Sequence, residues 1–122
     1  IVLGDFNDYD HEATVGAGSG ATRKLLTPVL RMIKSADPRR PLLNAAQLLP
    51  PSKRWSAWWA KNGNCRMAGP QERTLIDHVL VSPRLYGMID KVFIAHRLYG
   101  ATCRVDERVS DHWPVVVDLK LR

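Results

Sequence analysis

Three short polar strings stand at or beside the ends of apolar runs. They are Gly4-Asp5-Phe6-Asn7 after Ile1-Val2-Leu3, Ile76-Asp77-His78 inside Leu75–Val81, and Ser110-Asp111-His112 ahead of Pro114-Val115-Val116-Val117. Such runs read as strands, and strands bury them, so a carboxylate there needs a partner or a metal. Three acids, one amide and one imidazole brought to one site are the composition of a magnesium-assisted phosphodiester-cleaving centre.

Each string offers its own chemistry. Asp5 and Asn7 are two residues apart, which on an extended segment puts both on one face, roughly 6–7 Å from each other. A carboxylate and an amide carbonyl so placed suit a hard cation or a bound phosphate. Gly4 lets the backbone come close to a ligand. The stretch Gly4–Asp8 is equally good material for an Asx-type turn leaving a strand. Asp111 and His112 are adjacent, so they serve one site only from an irregular turn, because neighbours on a regular strand face opposite ways. Pro114 supports that turn, since it cannot donate to a ladder and suits a strand's first position. A His beside an Asp acts as a base or orients a phosphate; the plainer alternative is surface turn chemistry.

Asp77 is the sharpest single residue. Its position in the middle of an apolar strand makes burial costly unless an imidazolium compensates. His78 points the other way and reads as a satisfied core histidine. Trp55, Trp58 and Trp59 can offer a stacking platform, but packing is the commoner use of tryptophans on a strand.

The elements that must carry these residues follow from periodicity. Ile1–Leu3 is expected to be a short buried strand. Residues 6–19 read as loop. A helix is predicted over Ala21–Ser35, with Leu25, Leu26, Val29, Leu30 and Ile33 as its apolar stripe, Ser19 as cap, Pro28 as a kink and Asp37-Pro38 as stop. Pro41–Leu49 fits a short strand or a helical turn. Arg54–Trp59 is predicted as a strand with Trp55, Ala57 and Trp59 on one face. Asn62-Gly63-Asn64 is a turn signal. Arg73–Ser82 is the strongest strand prediction, apolar on both faces as in a sheet covered on both sides. Pro83–Ile89 is expected as a short helix, Lys91–His96 as a strand, Leu98–Arg108 as loop and Trp113–Leu121 as the last strand. On that last strand Val115, Val117, Leu119 and Leu121 share a face.

The chain has 122 residues, enough for one domain with a real core. Its 45% hydrophobic and 25% charged residues are ordinary for a globular protein. No apolar run approaches the roughly 20 residues that span a bilayer, so no transmembrane segment is expected. The formal charge is +6, from 18 Lys and Arg against 12 Asp and Glu, which favours anionic partners. The basic residues are dispersed, at Arg23-Lys24, Arg39-Arg40, Lys53-Arg54 and Arg104, so no basic tail is expected. Cys65 and Cys103 fit no zinc spacing and are either free thiols or one disulfide. A disulfide would make secretion possible.

Taken together and in this order, Gly-Asp-Phe-Asn, Ile-Asp-His and Ser-Asp-His-Trp-Pro-Val closely resemble the endonuclease/exonuclease/phosphatase superfamily. That group includes pancreatic-type deoxyribonucleases, abasic-site endonucleases, neutral sphingomyelinases and inositol-polyphosphate phosphatases. The resemblance covers residues 1–122 and matches the C-terminal half of the family's domain. It implies a four-layer α/β sandwich of which this chain supplies about one half. It also implies phosphoester hydrolysis helped by Mg2+ or Mn2+, with nucleic acid favoured over lipid or a small phosphate ester. In the family's pattern Asp5 and Asn7 hold phosphate, metal or water. Asp111 gives metal contacts, His112 is the active-site imidazole that also meets the substrate, and Asp77 steadies it. Loops rather than the core set substrate choice.

The family's N-terminal half carries a metal-binding Glu, an Asn and a second His, and none of these motifs is in this chain. The expectation is a fragment that needs its missing half. Each apolar side chain left uncovered without it forfeits roughly 1.5–3 kcal/mol. The alternative from another class is a non-catalytic module that binds phosphate-bearing ligands or proteins.

Overall fold

A computed structural model of the chain describes residues 1–10, 13, 29–60, 63–67, 69–100 and 109–120. In chain order these form β1 (Val2–Asp5), α1 (Val29–Lys34), β2 (Leu43–Asn44), β3 (Ala57–Trp58), β4 (Arg73–Thr74), β5 (Asp77–Val81), α2 (Pro83–Tyr86), β6 (Ile89–Ile94) and β7 (Val115–Leu119). Short 3-10 turns lie between, at Ala45–Leu48, Pro51–Lys53 and Pro70–Glu72. The architecture is mixed α/β.

Among the described residues the strands make three small sheets, ordered β1-β5-β2, β3-β4 and β6-β7. All the pairings are antiparallel. In the first sheet Val2 lies opposite Leu80 and Asp5 opposite Asp77. In the last, Val92 lies opposite Val117, with an irregularity between Ile89 and Lys91.

The predicted strand Arg73–Ser82 is in fact two strands in two sheets. It breaks at Leu75 and Ile76, so β4 pairs with β3 while β5 pairs with β1 and β2. The cause is local. Ser56 Oγ accepts from Ile76 N at 3.3 Å and Asp77 N at 3.1 Å, which draws those donors away from a ladder. Leu75 meanwhile turns fully into the core. Asp77 is therefore the first residue of a strand, not its middle, and its side chain stays 21% exposed.

Other boundaries also move. β1 runs on to Asp5 and is exposed throughout, with Leu3 at 68%. Among the described residues it is an edge strand, paired with β5 alone. An apolar run specifies a strand but not what covers it. Gly4 has a φ of 152°, a conformation other residues rarely adopt, yet a Cβ there would meet nothing within 4 Å. That φ draws on the backbone freedom of glycine.

The predicted helix is described from Val29 to Lys34; its earlier residues, with Ser19 and Pro28, lie outside the described residues. Pro41–Leu49 resolves into both of its alternatives, β2 followed by a 3-10 turn capped by Asn44 Oδ1. Only Ala57 and Trp58 of the predicted strand Arg54–Trp59 are extended in a ladder. Trp55, Ala57 and Trp58 are all buried and Trp59 is exposed, so the expected alternation fails there.

One core joins the pieces. Trp55, Trp58, Leu75, Ile94 and Trp113 pack with Ala13, Ala46 and Leu49. Trp113 stands edge-on to Trp55 and stacks on Tyr99, while His96 lies flat on Trp55 at 3.7 Å. Arg73 covers the Trp55 ring at 4.9 Å. Three of the four tryptophans are thus core residues, as packing predicts. Arg54 is structural too. Its guanidinium donates to the carbonyls of Leu49, Ala13 and Gln47. Cys65 is disulfide-bonded; the chain's other cysteine, Cys103, lies outside the described residues. Among the described residues no helix is long and apolar enough to cross a membrane.

Candidate functional site

The site begins with a conflict of charge. Asp5 ends β1, Asp77 opens β5, and the register sets them directly opposite. Like charges so placed repel, and the arrangement costs stability unless a cation sits between them. His112 supplies the group that can carry that charge. Its Nδ1 lies 3.0 Å from Asp77 Oδ2 and 4.0 Å from Asp5 Oδ2. Ligand atoms of Asp5, Asp77 and His112 all fall within 4.8 Å of one another.

His112 comes to this point through β3. It forms an isolated antiparallel bridge with Ala57, and the flanking bonds run from Trp58 N to Asp111 O and from Trp113 N to Ser56 O. Ser110 Oγ accepts from His112 N at 3.0 Å, and the Tyr99 hydroxyl donates to His112 O. This is the irregular turn that the Ser-Asp-His-Trp-Pro string required. Burial of Trp113, the next residue, anchors it.

The proton positions follow from the partners. Ser56 Oγ already accepts two backbone N–H groups, so its own proton goes to Asp77 Oδ2 at 2.6 Å. Asp77 accepts again from His112 Nδ1, at 3.0 and 3.2 Å to its two oxygens. A carboxylate only accepts, so Nδ1 carries the hydrogen. The neutral ring then keeps its lone pair on Nε2, which has no hydrogen-bond partner among the described residues. His112 is 31% exposed, so Nε2 is open to a ligand or solvent.

The other predicted residues divide. Asn7 is not on an extended segment; it has a φ of 48° and donates its backbone N–H to Asp5 Oδ1 at 2.9 Å. The Asx-type turn is thus present, and it holds the Asp5 carboxylate while leaving the Asn7 amide exposed beside it. Asp111, expected as a metal contact, is not in the three-residue group; among its described contacts is the backbone bond from Trp58. The acid that joins Asp5 is Asp77.

On the other face of β5 lies a second polar cluster. His78 is fully buried, and its Nδ1 meets Asn44 Nδ2 while Nε2 meets Asp8 O, each at 2.9 Å. An amide nitrogen donates and a carbonyl accepts, so the ring is neutral with its hydrogen on Nε2. Burial, the largest influence, lowers its pKa, against the raising effects of Asp8 O, Asp10 and Asp77. Asn44 also donates to Asp10 Oδ2, and Asp10 pairs with Lys34 Nζ at 3.0 Å. His78 is the satisfied core histidine that its place on the strand predicts.

Sequence reasoning missed Ser56, whose hydroxyl bonds Asp77 twice, at its carboxylate and its backbone N–H, and Ile76 N once. The signal was present: Ser56 is the lone hydroxyl in Trp55-Ser56-Ala57-Trp58-Trp59-Ala60, as anomalous there as an acid. Tyr99 gave no comparable signal.

No protein-family model matches the chain, and neither do any curated protein or solved structure.

Proposed function

We propose that this chain carries the reacting site of a divalent-metal-dependent phosphoester hydrolase of the endonuclease/exonuclease/phosphatase type. It would supply one half of a four-layer α/β sandwich. The observation that carries the reading is the pairing of two opposed carboxylates with one imidazole whose outer nitrogen is open.

Each group then has a role. His112 Nε2 takes or gives the proton at the reacting oxygen. Asp77 fixes the ring's tautomer and balances the imidazolium that forms. The exposed Asn7 amide donates to a phosphate oxygen. The donor set fits a cation in type: Asp5 and Asp77 offer the hard carboxylate oxygens that suit Mg2+ and Mn2+ alike. Asp5, the more exposed of the two, is the residue that would hold it, with Asp77 behind. A bound cation would neutralise charge on the phosphoryl group.

Nucleic acid is the favoured substrate class, on the net charge of +6. The resemblance places a further Glu, Asn and His in the complementary half of such a domain, so the complete form is the one expected to turn over. The test is hydrolysis of a labelled oligonucleotide with Mg2+ or Mn2+, against chelator. His112→Ala and Asp77→Asn should each cut turnover about 10²–10⁴-fold while the fold survives. Near-normal rates in both variants would remove the mechanism. The isolated chain should be feeble, and robust turnover by it alone would refute the need for a second half.

A further inference from the structure

The residue that ties the acid to the imidazole belongs to neither. Ser56 is fully buried, and its contacts go to Asp77 and to the segment that bears His112. Through its side chain it accepts from Ile76 N and Asp77 N and donates to Asp77 Oδ2. Through its backbone carbonyl it receives Trp113 N at 2.6 Å, which sets the height of the segment bearing His112. Its backbone N–H goes to Thr74 O at 2.8 Å, on the strand that leads to Asp77. One residue thus sets the Asp77 backbone, the Asp77 carboxylate and the His112 segment together.

We infer that Ser56 is the positioning residue of the Asp77–His112 pair: its hydroxyl holds Asp77 Oδ2 where His112 Nδ1–H must donate, and so keeps the His112 lone pair on Nε2. The chemistry is one-sided. Two N–H donors saturate the acceptor side of Ser56 Oγ, which leaves its proton one destination. Asp77 in turn receives one hydrogen bond from a buried hydroxyl and one from the ring. Without the hydroxyl, two backbone donors lose their acceptor and the carboxylate is free to rotate away from the ring. Ser56 does not reach a substrate, because it is sealed from solvent. It acts only through Asp77. The inference rests on the proposed reading only where turnover is concerned; the tautomer it sets is a property of the chain.

The experiment reads both. The nitrogen chemical shifts of the histidine rings, in labelled protein at one fixed pH, report which nitrogen carries hydrogen. His78 is the internal reference, since Asn44 and Asp8 lock it independently of Ser56. In Ser56→Ala, His112 should change from one tautomer to a mixture while His78 stays unchanged. Ser56→Thr retains the hydroxyl and should restore the single tautomer. Should Ser56→Ala not fold, Ser56→Cys, a weak donor of similar size, takes its place with the same expectation. In the complete form, turnover of the hydroxyl-deficient variant should fall about 10–100-fold with little change in KM. An unaltered His112 tautomer in the folded Ala or Cys variant would overturn the inference. If wild-type protein shows no turnover at all, the hydrolase reading fails, and the ring shifts still decide the role of Ser56.

Discussion

Two histidines sit back to back across β5, and their surroundings differ in every respect that matters. His78 lies on the buried face with both ring nitrogens bonded and its proton affinity reduced by burial. His112, brought to the other face from the segment before β7, has one nitrogen bonded to an acid and the other open. Neighbouring positions on one strand thus serve opposite ends. Asp77 faces a partly exposed site, and His78 lies in a buried network with Asn44, Asp8 and Asp10. A histidine whose bonds are all made is a packing element; one with a single bond to an acid is poised to act.

Exchanging the two losses is the strongest way to break this contrast. His112→Ala should abolish nearly all turnover and leave the denaturation midpoint close to wild type. His78→Ala should do the reverse. It strips a buried ring and removes its bonds to Asn44 Nδ2 and the Asp8 carbonyl, at a cost of about 3 kcal/mol in a denaturant titration. Equal stability losses in the two variants would erase the distinction.

Acidity sharpens it further. Burial lowers the pKa of His78, and burial likewise lowers that of His96, whose Nε2 donates to Trp55 O at 2.7 Å. Lys53 and Arg73 push His96 the same way. The folded chain therefore binds protons at these rings less readily than the unfolded chain. Above about pH 6.5 both states are unprotonated there and stability is full. Below it the unfolded chain takes up protons first, so stability should fall as pH falls, until the lowered folded values are reached. Replacing His96 with Gln should flatten that slope in denaturant midpoints measured across the range. An unchanged slope would deny His96 its part.

The smallest effect belongs at the surface. Lys120 and Asp90 pair at 2.5 Å, yet their side chains are 70% and 49% exposed. Lys120→Ala should change stability by no more than about 1 kcal/mol, which thermal denaturation would register.

The three polar strings were legible because a charged residue beside an apolar run is anomalous wherever it falls. That logic located Asp5, Asp77 and His112, which the structure brings together. It did not single out Asp77 over Asp111 as the acid beside Asp5, because adjacency to His112 in sequence does not decide which acid the fold delivers to that group. Alternation also concealed the passage from β4 to β5. Leu75 and Ile76 continue the apolar pattern, and only the Ser56 hydroxyl, distant in sequence, ends the ladder there. Likewise Ile1-Val2-Leu3 announced a strand but not its exposure, since covering depends on partners that a strand's own residues do not encode.

The three-pronged grip of Arg54 on backbone carbonyls changes what the formal charge means. A cation with several of its donors engaged internally displaces fewer counterions when a polyanion approaches. Lys34, held by Asp10, is in the same position. The salt sensitivity of any encounter with a polyanion should therefore report a footprint smaller than the count of Lys and Arg suggests, with the dispersed arginines of the surface setting its extent.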